Sequence, residues 1–489
     1  MAKEILGIRH ILGLKVKDLR QNKELSYQDL SDRTGLSVSY LSEIEKGKKY
    51  PKGDKILSLA SALEVDYDYL VSLKVSRRLE PIVNLINSDF LKEFPLEMYG
   101  LDIQKVLQIL SDAPEKLNAF VNSILQIARN YEMSKEHFYL ASLRSFQELN
   151  DNYFKELELA AVKLRDEFSL SDTSVKKQDL VDILNEYFSI EVDFEVLPQN
   201  DILKNVRSYF KKFNKKLLIN KGLSDAQVNF LLGREIAFHY LSLGNRPLET
   251  PPQNKYSFEY ILNNYKASYF SAALLINESE LKKDIKRFAG MEKWDSTFLI
   301  KLLDKYHCTP EMLMQRLTNL LPKFFNLKNL FFLRFVGNPA TDDYLLTKEL
   351  HLHKMHNPHS NELNEHYCRR WLTLKVMKEV DLKSSKNEVI SGAQISQYWQ
   401  TKDEYLMLSL ALPNISDHSE VISISIGFYI DQNLRKNMPF LEDPNLPRIT
   451  VHTTCERCNI KDCSDRKADP IIFLRESNRI RVQENLDQL

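Results

Sequence analysis

The chain of 489 residues carries 67 Lys and Arg against 67 Asp and Glu, a formal net charge of zero, and 43% of it is hydrophobic. The balanced charge argues against a molecule coated in basic surface for indiscriminate nucleic-acid binding. Its 13 glycines nowhere form Gly-x-Gly, and the Lys that follows Gly47 is followed by Lys49 rather than Ser or Thr, so the nucleotide loops of dehydrogenases, kinases and P-loop NTPases are excluded.

The length suggests about three domains. No run approaches the ~18–20 apolar residues of a membrane span. The opening Met1-Ala2-Lys3-Glu4 has no apolar signal core, so no membrane partner and a cytoplasmic location are expected. In chain order, Ile11, Leu12, Val16, Leu19 and Leu25 recur at roughly helical spacing. Ser26, with Asp29 three residues on, offers an N-cap to a short helix over Tyr27–Arg33 that ends at Gly35. Ser37 caps the next helix, Val38–Lys46, which Gly47 stops, and Asp54–Leu63 and Tyr67–Leu73 follow. Two short helices joined by a Gly-containing turn make a helix-turn-helix.

The stretch from Leu25 to Gly47, with the later landmark Ala60–Leu70, resembles the Cro/phage-repressor (XRE-type) DNA-binding domain. The resemblance implies that the second helix of the motif lies in the major groove of a double-stranded operator. Ser37, Val38, Ser39, Tyr40 and Glu43 would then stand at or near base edges. Glu43 suits a cytosine amino group and Val38 a thymine methyl. Gln28 would hold a phosphate, and Lys46, Lys48 and Lys49 suit the DNA backbone. Through Lys74 the module holds 13 basic against 11 acidic residues. Such domains bind two half-sites as a pair, so a homodimer is expected. A helical protein-interaction module of the same shape is the competing reading.

Residues 75–150 read as a helical linker, rich in Leu and punctuated by Pro81, Pro95 and Pro114. Residues 151–322 are mostly helical, with a strand pair near Ile190–Val196 and Lys216–Asn220. Near Pro322 the character changes. Leu330–Val336, Tyr344–His353, Tyr405–Leu412, Val421–Ile430 and Arg448–His452 are β-type runs, with one helix expected over Asn361–Val376. The fold class expected is therefore multi-domain: an all-α N-terminal domain (1–74) and helical linker (75–150), a mostly α middle domain (151–322), and an α+β C-terminal domain with an antiparallel sheet (323–489).

Within the middle segment, residues 227–243, including Gly233-Arg234-Glu235 and Phe238-His239, resemble the central helix of the ImmA/IrrE-type zinc peptidase domain. Lys266–Leu275 resembles that family's later helix. The chemistry of the family needs two His at i and i+4, a third ligand and a Glu base. Here Arg234 and Phe238 stand at the His positions, only Glu235 matches, and His239 is one residue late, about 100° round the helix. A retained, non-catalytic fold is expected, with Arg234 available to bind an anion.

The last motif is Cys455-x2-Cys458-x4-Cys463, whose spacing lets thiolates converge on one ion or cluster. Cys368, in the same C-terminal segment, is a better fourth ligand than Cys308. His351, His353, His356, His359 and His366 crowd the same region, either as ligands or as a polar loop around Pro358. The whole order resembles the short-chain fatty acyl-CoA transcriptional regulator family. That resemblance implies a regulator whose C-terminal half senses an acyl-CoA-like metabolite or a redox or cluster state, with an Fe–S cluster favoured over zinc. Two rivals stay open: a metallopeptidase-type regulator that cleaves a repressor partner, and a phage- or stress-type repressor with no small ligand.

Overall fold

The computed structural model describes residues 2–72, 74–75, 135–197, 202–203, 205–253, 257–352, 365–380, 388–399, 401–414, 417 and 419–488. Most of the expected linker, the histidines at 353, 356 and 359, and the first residues of the helix expected from Asn361 lie outside them. The chain divides into two compact units, Met1–Ser142 with Tyr256–Glu259, and Leu143–Lys255 with Tyr260–Leu489.

In the first unit, α1 (Ala2–Asn22), α2 (Tyr27–Thr34), α3 (Val38–Glu45), α4 (Gly53–Leu63) and α5 (Tyr67–Val71) follow the caps read from the sequence. Ser26 Oγ accepts the Asp29 N–H at 3.1 Å while the Asp29 carboxylate accepts the Ser26 N–H at 2.8 Å, a reciprocal capping box. Gly35 closes α2 in the left-handed conformation, φ 70°, and Ser37 Oγ starts α3 by accepting the Tyr40 N–H at 3.2 Å. Gly47 has φ 66°, and a Cβ there would lie 2.5 Å from the His10 ring. Glycine is thus required at Gly47 by both backbone and space. Leu12, Val16, Leu30, Leu41, Ile44, Ile56, Leu59 and Leu63 form the core.

Helix α6 (Lys135–Leu149) runs from the first unit into the second, which continues with α7 (Lys155–Glu167) and α8 (Lys177–Asp182), the last running into a π-helical turn, Ile183–Tyr187. A four-stranded sheet follows in the order β1-β3-β2-β4, from β1 (Glu191–Asp193), β2 (Ser208–Lys211), β3 (Lys216–Ile219) and β4 (Glu249–Thr250). β1 and β3 are the strand pair read from the sequence, and they run parallel. Helices α9 (Asp225–Tyr240), α10 (Phe258–Leu275), α11 (Glu278–Ala289), α12 (Ser296–Tyr306) and α13 (Pro310–Phe325) complete the helical part. Arg316 is 0% exposed, and its guanidinium grips Glu158, whose Oε1 also accepts from the Tyr269 hydroxyl at 2.6 Å.

The β-rich part is one six-stranded sheet ordered β10-β7-β8-β9-β5-β6. Its strands are β5 (Leu330–Asn338), β6 (Asp343–His351), β7 (Ile390–Tyr398), β8 (Glu404–Pro413), β9 (Val421–Tyr429) and β10 (Arg448–Val451). All its neighbours are antiparallel except β10, which is parallel to β7. Alternation along β8 sends side chains to opposite faces. Leu406, Leu408 and Leu410 join a core that also holds Leu299, Leu302, Leu313 and Leu317 of α12 and α13. Tyr405, Met407 and Ala411 pack with Leu372 and Met377 of α14 (Leu372–Glu379) and with Trp371, which precedes it. The hydrophobic core therefore crosses position 322 without a break.

Of the helix expected over Asn361–Val376, the described residues 365–371 are not helical, and α14 begins at Leu372. Tyr367 forms a bridge with Thr454, and the Cys368 N–H donates to the Thr453 carbonyl at 3.1 Å. This extended pairing takes the hydrogen bonds a helix would need. A short α15 (Gln432–Asn437) follows β9, and α16 (Ile471–Leu486) ends the described chain.

Candidate nucleic-acid interface

The motif residues of the first unit are exposed or half-buried. At the start of α3, Ser37, Val38 and Ser39 are exposed, Val38 by 39%. The Leu41 N–H is taken by the Ser37 carbonyl at 3.0 Å. Ser37 is used locally as the N-cap. Tyr40 is half-buried, and its ring lies 4.4 Å beneath the Lys55 ammonium. Glu43 is half-buried, and its carbonyl accepts the N–H groups of Lys48 and Lys49 at 2.9 and 3.2 Å. That turn leaves Lys46, Lys48 and Lys49 exposed just past the helix. Gln28 is exposed at the start of α2, where its amide donates to Asp32 at 2.9 Å.

Lys52 and Lys55 extend this basic run and were missed in the sequence. The signal was available in the spacing 46, 48, 49, 52, 55. Lys52 is the N-cap of α4 without a capping side chain, so the first amides of that helix add their own partial positive charge.

A buried ion pair fixes the orientation of α3. Arg20 of α1 reaches Glu45 at the end of α3, Nε to Oε1 at 2.6 Å and a terminal nitrogen to Oε2 at 2.9 Å. The Tyr27 hydroxyl donates to the same carboxylate at 2.7 Å. Burial and this carboxylate push the Tyr27 phenol up to about 12. Lys15 ties down the far end of the unit by donating to the carbonyls of Tyr69 and Ser72 at 2.5 and 2.6 Å. Burial pulls its ammonium down to about 8.

The peptidase-like helix is built the opposite way. On α9, Glu235 is buried and both its oxygens are held by Arg246, at 2.6 and 2.9 Å. His239 Nε2 lies 3.0 Å from Glu235 Oε1. The Arg246 guanidinium rests over the rings of Phe210 and Phe238 at 4.5 and 4.3 Å. A cation of the chain itself thus neutralises the carboxylate that the family uses as a base. Burial would raise the Glu235 carboxyl, but His239 and Arg246 hold it below its ordinary value. Arg246 carried no motif in the sequence.

Arg234 is buried beside this pair and donates only to neutral oxygens, Thr250 Oγ1 at 2.9 Å and Asn264 Oδ1 at 2.6 Å. Its Nε has no hydrogen-bond partner. Burial, with Arg246 and Arg207 nearby, pulls its guanidinium down to about 10, against the opposing pull of Glu235.

The expectation of an Fe–S cluster or zinc on Cys368, Cys455, Cys458 and Cys463 is overturned. Among the described residues no group of three or more His, Cys, Asp or Glu side chains is placed to hold a metal ion. Instead the sulfurs serve as packing and as acceptors. Cys368 Sγ accepts the His452 N–H at 3.5 Å and Cys455 Sγ accepts the Lys467 N–H at 3.4 Å. Burial, joined by the nearby Cys455 and Cys458, pushes the Cys368 thiol up to about 11. Cys463 stands half-exposed, and Cys308 is buried in the helical core. His351 is buried near Glu349, and His366 Nδ1 lies 2.7 Å from Glu456.

Two segments of the chain match known families. Residues 16–70 match the helix-turn-helix family and residues 185–318 match the IrrE N-terminal-like domain. The HTH-type transcriptional regulator y4dJ of Sinorhizobium fredii is 33% identical over 67 residues, covering 14% of this chain and 87% of that protein. The transcriptional regulator ClgR of Mycobacterium tuberculosis is 29% identical over 58 residues, covering 12% of this chain and 52% of that protein. A solved Mycobacterium tuberculosis transcriptional regulator aligns with a TM-score of 0.48 at 15% identity, covering 68% of this chain and 93% of that one. The relatives are named as regulators, not enzymes. No helix among the described residues is long and apolar enough to cross a membrane. A capped helix α3 with an exposed start, and a peptidase-like helix closed by its own arginine, thus accompany these matches: the chain belongs to the XRE/Cro-like helix-turn-helix transcriptional regulators and carries an IrrE/ImmA-like domain in its middle.

Proposed function

We propose that the protein reads a palindromic operator as a homodimer. Val38, Ser39, Tyr40 and Glu43 face base edges, Ser37 sets the helix start, and Gln28, Lys46, Lys48 and Lys49 hold phosphates. The observation that carries this is the exposed start of α3 with lysines massed just beyond it. One such module makes few contacts, and two-fold symmetry doubles them. Selection of bound duplexes from a random pool by the full-length protein tests the proposal. Paired half-sites about one helical turn apart are the expected product. If a chain lacking residues 1–74 selects the same sequences, the reading is wrong.

The second unit is proposed to sense an acyl-CoA-like anion, with Arg234 as one of its contacts. The support is a buried guanidinium with neutral partners and a spare N–H, beside two further arginines. Such a ligand shifts DNA affinity only by binding two arrangements of the protein unequally. Propionyl-CoA, acetyl-CoA and free CoA, added to the full-length protein, should raise its melting temperature, and Arg234→Met should remove the shift. If none of them changes melting or DNA affinity, the protein is a regulator without a small ligand of this class.

A further inference from the structure

The hairpin of β2 and β3 has a feature that neither the peptidase-like fold nor the recognition helix uses. Its root is anchored, with Phe210, Leu217 and Ile219 in the core. Its register pairs Lys211 with Lys216, leaving a tip of Lys212, Phe213, Asn214 and Lys215, all exposed. Phe213 is 102% exposed, more open than any packing role allows. Lys216 is neutralised by Glu191 and Asp193 at 2.8 and 2.9 Å, and Lys221 by Glu195 at 3.0 Å. The nearby carboxylates are therefore engaged. Among the described residues no ion pair involves Lys211, Lys212 or Lys215.

We infer that this end of the hairpin is a second nucleic-acid contact, one that lays Lys212 and Lys215 of the tip, with Lys211 at the end of β2, on the phosphates of duplex DNA and Phe213 against its minor groove. Two-stranded ribbons enter DNA grooves, and exposed phenylalanines serve there as apolar wedges between base steps. A rigid root with a tip that is both cationic and aromatic meets both needs. An anionic partner fits because the tip carries positive charge and no competing carboxylate. Duplex DNA is the partner this regulator already engages through its first unit, and the inference rests on that reading. The contact is to backbone and groove, so it adds affinity without sequence choice.

The test uses full-length protein and a random-sequence duplex, with binding followed by anisotropy across a salt series. Each phosphate contact contributes about 0.9 to the slope of log affinity against log salt. Lys211→Ala, Lys212→Ala and Lys215→Ala together should therefore lower the slope by about 2 to 3. Phe213→Trp should add an emission that changes when duplex is added. An unchanged slope in the triple variant, while Lys48→Ala with Lys49→Ala still lowers it, overturns the hairpin contact and leaves the helix-turn-helix reading intact. An unchanged slope in the Lys48/Lys49 variant alone counts against that reading and not against the hairpin. If the triple variant keeps its slope on DNA but loses binding to phosphatidylglycerol vesicles, the inference is overturned in favour of an anionic lipid.

Discussion

Helices α3 and α9 both carry a motif with a known relative, and they handle their polar residues in opposite ways. α3 turns Ser37, Val38 and Ser39 outward, and its only deeply buried acid, Glu45, is locked to Arg20. α9 turns its motif inward, where Glu235 is 6% exposed at its side chain and clasped by an equally buried Arg246. The same ion-pair chemistry thus serves two ends. In the first unit it steadies a surface so that other residues can act. In the second it consumes the one residue that could have acted. Motif identity alone does not tell these apart; the location of the counter-ion does.

That contrast can be broken most directly at Glu235. Glu235→Gln leaves Arg246 and Arg234 buried without a carboxylate, so about 3–5 kcal/mol of stability should be lost, read as a fall in urea midpoint. Glu43→Gln, on the other helix, should stay within about 0.5 kcal/mol while altering preference for one base pair by about 1–3 kcal/mol. Equal stability in both variants would erase the distinction.

A pH series sharpens it further. Burial works to raise the Glu311 carboxyl, but Lys348, Arg334 and Arg207 hold it down at about 2. The folded state then binds fewer protons than the unfolded state between about 4.5 and about 2. Its contribution is fully present above that window and is lost as pH falls through it. Melting temperatures should drop less steeply between pH 5 and 3 in Glu311→Gln than in the parent. A parallel acid limb in the two would remove Glu311 from the account.

The smallest expected effects are on the DNA-reading side. Ser37→Ala should cost about 1 kcal/mol by removing the α3 cap, seen as a lower urea midpoint. Lys48→Ala with Lys49→Ala should leave stability unchanged and reduce the salt slope of DNA binding by about 2. A cap variant as stable as the parent, or a slope that does not move, would show that α3 is held and used differently.

The first unit was legible because its signals are local. Ser26, Gly35, Ser37 and Gly47 each sit within one turn of the helix end they define, and four of the five helix boundaries agree within a residue or two. The second unit was read in part. Five strands of the large sheet show as β-branched and aromatic runs, but β7 does not. Its Ser391-Gly392-Ala393-Gln394 looks like a loop until β8 and β10 flank it. The late start of α14 has the same origin, since pairing with residues near Thr454 overrides a plausible helix. Arg246 was invisible for a related reason: its role exists only once the chain beyond α9 returns its guanidinium to Glu235. The cysteine spacing pointed to a metal, yet spacing reports separation along the chain and not convergence of lone pairs in space.

The unbroken core between α12, α13 and the six-stranded sheet bears on how the second unit melts. Leu406, Leu408 and Leu410 lose their partners if the helices leave, and Leu313 and Leu317 lose theirs if the sheet does. Neither part has an interior of its own on that side. Helices and sheet should therefore open together, protecting their amides from hydrogen exchange as one foldon, and a chain cut at Pro322 would yield two sticky halves rather than two domains.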